Sequence, residues 1–182
     1  MIRRIALGTL AVPFLLRPTL AQSPGAERAQ APNQSATPRQ SAAADQQRMQ
    51  ALGGMAFALA SSQLAERSAE NAAVKLFATL EAEEQTTFTN VRRHVGLQVP
   101  TPEMMDDQKR QLMQQIQGLR GAEFDRAYVR AQMAGHQELL RLHQAIASTP
   151  ANREEEIIAT LAVPGIKSHL AMLEGLSGTM RG

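Results

Sequence analysis

The sequence predicts an all-α protein, a four-helix bundle with an extra short helix. Three observations lead there. From Gln46 to Leu176 apolar residues recur at spacings of three and four, and no stretch alternates as a half-buried strand does. Breaks at "QVPTP", at Gly118 to Gly121 and at "STPAN" divide this region. The connections are short enough to join antiparallel neighbours.

The first 21 residues carry a different signal. Arg3 and Arg4 precede a mostly apolar run from Ile5 to Leu16, and Thr19-Leu20-Ala21 offers a small-x-small cleavage site. This is the pattern of a secretory leader, so a periplasmic or secreted protein is expected, and the run is short for a membrane span. Residues 22–45 are rich in Pro, Ala, Gln and Ser without a large apolar side chain, which predicts a disordered arm. The bundle domain is expected over 46–177 and a flexible end over 178–182.

The first helix is expected over 46–68, with Leu52, Ala56 and Leu59 inward. The second spans 72–95, with Asn71 placed to cap it. Thr101 and Pro102 open a short third helix, and Met105, Leu112, Ile116 and Leu119 line its inner side. The fourth covers 122–147. The fifth covers 153–176, with Asn152 and Glu155 spaced as a capping box and Pro164-Gly165 expected to kink it.

Composition removes several functions. The chain has 19 basic and 17 acidic residues; without the leader, which holds three Arg, 16 remain against 17. No basic excess for nucleic acid survives. Absence of Cys excludes disulfides and thiolate metal sites. No Glu-x-x-His, His-Glu-x-x-His, Gly-x-Ser-x-Gly or phosphate loop occurs.

What needs explaining is polar. In the second helix one stripe runs Val74, Phe77, Glu81, Glu84, Phe88, Val91, with two carboxylates in its apolar middle. In the fourth, Asp125, Gln132, His136 and His143 form a column between two apolar strips. In the fifth, His169 sits among Ile158, Ala162, Ile166, Met172 and Leu173. Gln63 and Glu66 sit near the end of the first helix. Carboxylates and imidazoles converging inside a bundle are the ingredients of a metal site, and buried charge is costly unless paired or ligated. Glu81, Glu84, Asp125, His136 and His169 are the candidate ligands for a transition metal ion. The plainer readings stand beside this: acids at a wetted bundle edge, histidines bonded to backbone, Met104 and Met105 as core filler. One objection is geometric. In a hairpin turning near Thr149, His169 lies level with residue 130, roughly 9 Å of helical rise from His136. Asp125 or Gln132 is then the nearer partner.

The stretches "GGMAFALASSQLAERSAENAAVKLFATLEAEEQT", "GAEFDRAYVRAQMAGHQELL" and "LAVPGIKSHLAML" resemble a bacterial exported family designated a domain of unknown function, number four-one-four-two. The resemblance covers residues 50–176. It implies a ferritin-like bundle in the periplasm or outer membrane, with no established activity. It also implies that Asp125, His136 and His169 occupy family positions. The family's two acids after Gly-(Leu/Met)-Ala in the first helix are replaced here by Phe57 and Leu59, and its Asp-His in the second by Glu84-Gln85. Three functions are therefore expected as alternatives. The first is a non-enzymatic binding or stress-related protein of the cell envelope, with an envelope protein as partner. The others are a metal-binding or redox bundle with a degenerate site, and an envelope chaperone or lipid-surface protein.

Overall fold

The computed structural model describes residues 38–180; the expected leader, residues 22–37 of the expected arm and the last two residues lie outside them. The described chain is all-α. Its helices are α1 (Pro38–Ser68), α2 (Ala72–His94), α3 (Asp107–Gln117), α4 (Gly121–Ser148) and α5 (Arg153–Thr179), with a 3-10 turn at Pro102–Met104 between α2 and α3.

Three boundaries depart from the sequence reading. Residues 38–45, expected in the arm, are the first two turns of α1. Ala42 to Ala44 favour the helix, and Arg48 anchors its next turn to Glu155 at 2.9 Å and to the Thr149 carbonyl at 2.9 Å. The short third helix is two pieces, because Asp106 caps a separate α3 through Lys109 N at 2.8 Å. At the other end α5 passes through Pro164 and continues to Thr179, into the expected flexible end.

Two of the expected caps form, at Asn71 and Asn152, whereas Thr101 precedes the 3-10 turn without a side-chain cap bond. Asn71 Oδ1 accepts from Ala73 and Val74, and Asn152 Oδ1 accepts from Glu155. The Glu155 carboxylate reaches back to Ala151 N at 2.6 Å while also holding Arg48. Gly121 opens α4 at φ +58°, a conformation that suits glycine.

Contacts between helices set the topology. α1 packs on α2 and α4, α4 packs on α5, and α2 and α5 meet more lightly to close the ring. Glycines permit the closest approaches: a methyl at Gly53 would strike the Met104 carbonyl, and one at Gly54 would lie 2.9 Å from Leu139 Cδ2. One apolar cluster contains Phe77, Ile116, Phe124, Tyr128, Val129 and Leu173. Another contains Met55, Leu139, Ala162 and Ile166. Each large side chain in them contributes about 1.5–3 kcal/mol by leaving water. Between the two clusters, at the level of residues 81, 136 and 169, the core turns polar.

Candidate metal centre

Glu81 comes from α2, His136 from α4 and His169 from α5, and all three are buried. Glu81 Oε2 lies 2.8 Å from His169 Nδ1 and 3.3 Å from His136 Nε2. The two ring nitrogens are 3.2 Å apart. Three atoms of metal-ligating type thus form one small triangle. Phe77 backs it, its ring centroid 5.6 Å from that of His169 and 6.2 Å from that of His136.

The far atom of each member is also engaged. His136 Nδ1 donates to the Gln132 carbonyl at 2.8 Å, which leaves Nε2 facing the triangle in the neutral ring. Glu81 Oε1 accepts from Gln85 Nε2 at 3.0 Å. His169 Nε2 stands 3.4 Å from Glu84 Oε2. Gln132 is itself fixed to α1, donating to Ser62 Oγ at 2.9 Å and Ser61 Oγ at 3.0 Å, and Ser62 Oγ meets the Tyr128 hydroxyl at 2.8 Å.

Electrostatics bind the group together. Burial alone would raise the pKa of Glu81, but hydrogen bonds and charge from His136 and His169 outweigh it and lower it to about 2. Burial alone would lower that of His169, but hydrogen bonds and charge from Glu81 and Glu84 raise it to about 10. Without a metal, His169 is therefore an imidazolium between two carboxylates.

The sequence candidates divide accordingly. Glu81, His136 and His169 converge. Glu84 stays outside the triangle, against the outer nitrogen of His169. Asp125 is not brought in, being eleven residues before His136 on α4, about 16 Å along the axis. Its carboxylate accepts from Glu70 N at 3.2 Å and Asn71 N at 2.8 Å, holding the turn between α1 and α2. Gln63 is exposed and Glu66 half-buried, so neither points into the core, while Met105 is core and Met104 half-buried. The second-helix stripe is buried only in part, since Val91 is exposed.

The separation expected between His136 and His169 is overturned by their contact. Long helical side chains lean toward the N-terminus of their own helix. In an antiparallel pair, His136 leans back toward Gln132 while His169 leans toward Gly165, and the two tips close the gap. Sequence reasoning also missed Ser61 and Ser62, both fully buried. Their signal was faint: two hydroxyls at the end of an alanine-rich inner face. Gln85 was legible as the residue one turn after Glu81.

The sequence profile of the family described as Domain of unknown function (DUF4142) matches residues 28–176, and the chain belongs to that family. No curated protein and no solved structure matches the chain.

Proposed function

We propose that this protein is an exported helical bundle that holds one transition-metal dication in its core, on Glu81 Oε2, His136 Nε2 and His169 Nδ1. The observation that carries the proposal is the spacing of these three atoms, 2.8, 3.2 and 3.3 Å. Ligands sharing one ion at bonds of about 2.0–2.1 Å in tetrahedral geometry lie roughly 3.3 Å apart. Two imidazoles and a carboxylate suit zinc, iron, copper or nickel better than magnesium or calcium.

The outer bonds support the same reading. A ligating histidine ordinarily gives its other N–H to a carbonyl or carboxylate. Here His136 has the Gln132 carbonyl and His169 has Glu84, while Gln85 orients Glu81. A dication would replace the proton on His169 Nδ1 and offset the charges of Glu81 and Glu84. The leader pattern at residues 1–21 supports export. Nothing in the site points to a reaction, so binding is the function proposed.

Isothermal titration of chelator-treated protein with Zn2+ and Co2+ tests this. The expected result is one ion per chain, with Co2+ giving the visible absorption of a low-coordinate nitrogen and oxygen site, lost in His136→Gln. Absence of uptake of Zn2+, Co2+, Fe2+, Ni2+ and Cu2+ would overturn it and leave a proton-held polar core.

A further inference from the structure

Resting on the metal reading, a second feature concerns how an ion reaches a buried site. Side-chain exposure rises along one line, from 0 % at Glu81 through 11 % at His169 to 32 % at Glu84. That line crosses the light contact between α2 and α5. His169 belongs to both ends of it, with Nδ1 turned to Glu81 and Nε2 to Glu84. The Glu84 carboxylate lies against Gly165 of α5, where an added Cβ would stand 3.2 Å from Oε1. The missing side chain leaves the carboxylate its slot. One residue earlier, Pro164 cannot donate to the Thr160 carbonyl, which eases bending of α5 at this level.

We propose that Glu84 and the outer nitrogen of His169 form a loading position for a divalent cation, through which the ion passes at the α2–α5 seam beside Gly165 into the buried triangle. The two donor atoms are 3.4 Å apart, a separation that one ion can bridge. A half-exposed carboxylate can exchange with water around a hydrated ion, whereas Glu81 cannot. In loading, the ion takes the place of the Nε2 proton of the His169 imidazolium, which passes to water, while the Nδ1 proton stays in place, held by Glu81. In moving inward the ion displaces the Nδ1 proton to water, and Nε2 takes a proton back from water and gives it to Glu84 in a hydrogen bond. One imidazole thus faces the ion first with its outer and then with its inner nitrogen, and Glu84 changes from ligand to hydrogen-bond acceptor.

Stopped-flow mixing with Co2+, followed by absorption, separates this from a purely orienting role for Glu84. Removing an outer partner of a ligand ordinarily weakens affinity by about 10–100-fold. If Glu84 only orients His169, that loss falls on dissociation. The proposal expects Glu84→Gln to slow association by about tenfold or more, on the scale of such losses, with one ion still bound at saturation. Gly165→Ala, which displaces the Glu84 carboxylate without removing it, should slow association in the same direction by a smaller factor. Exposed Glu83→Gln should stay near the wild-type rate. Wild-type association rates in both Glu84→Gln and Gly165→Ala would overturn the loading position while leaving the metal site intact. A wild-type protein that takes up no Co2+ or other tested ion would overturn the metal site itself.

Discussion

His136 and His143 stand two turns apart on one face of α4 and begin alike. Each is buried, and each gives Nδ1 to the carbonyl four residues back, Gln132 at 2.8 Å and Leu139 at 2.9 Å. Their other nitrogens meet different neighbours. His136 faces Glu81 of α2 and His169 of α5. His143 lines a small, partly open pocket with Arg48 of α1, Arg92 of α2 and Glu155 of α5. Burial lowers the pKa of His143, its bond to Leu139 opposes that, and the charge of Arg92 adds to the lowering. The same local motif thus yields a metal-competent imidazole in one layer and a neutral core imidazole in the next. A histidine on an inner face takes its role from the groups that meet its second nitrogen directly, as Glu81 and His169 meet that of His136.

The largest effect should come from removing that carboxylate. Glu81→Gln leaves His136 and His169 without their shared anion. The expected losses are metal binding altogether and about 3 kcal/mol of metal-free stability, the scale for breaking a buried ion pair. Urea unfolding measures the second. A variant as stable as wild type would mean that desolvation of Glu81 cancels everything the pair contributes.

The two layers should also separate by pH in the metal-free protein. The depressed pKa of Glu81 gives stability that is present above pH 4.5 and lost as pH falls toward about 2. The raised pKa of His169 gives stability that is present below pH 6.5 and lost as pH rises toward about 10. His143 acts oppositely, because its lowered pKa costs stability as pH falls below 6.5. Melting temperature against pH should therefore show an acid limb that begins at 6.5, and His143→Phe should flatten its upper part, down to 4.5, while leaving the Glu81 fall below 4.5 and the alkaline limb in place. Should His143→Phe alter the alkaline limb instead, the two layers are coupled and the contrast fails.

A smaller effect is expected at the serines behind the site. Ser62→Ala removes a buried hydroxyl shared by Tyr128 and Gln132. It should cost about 1–2 kcal/mol, as for one buried hydrogen bond and the partner left behind. Metal affinity should hold, since the His136 bond uses the Gln132 backbone. A parallel fall in affinity, measured by the same Co2+ titration, would show that the serine network positions His136.

Much of this was legible in the chain. The helical period located the four long helices, and Asn71 and Asn152 marked two starts because capping is a local bond. The same period put Glu81, His136 and His169 on inner faces. The first turns of α1 were hidden because alanine and glutamine suit an unstructured arm as well as a helix, and Arg48 in the next turn anchors to Glu155, 107 residues away in sequence. Asp125 misled because a turn between two other helices satisfies its carboxylate, and that turn is 54 residues away in sequence.

By itself, then, the sequence determined the helices, their inner faces and the presence of charge that the core must neutralise, since all three follow from spacing within one segment. Only the tertiary structure decided which charges meet. The Glu81–His136–His169 triangle closes through the packing of α4 on α5 and the opposed lean of two side chains. Shifts of a few ångströms between helices make or break such bonds, and no period along a single helix records them.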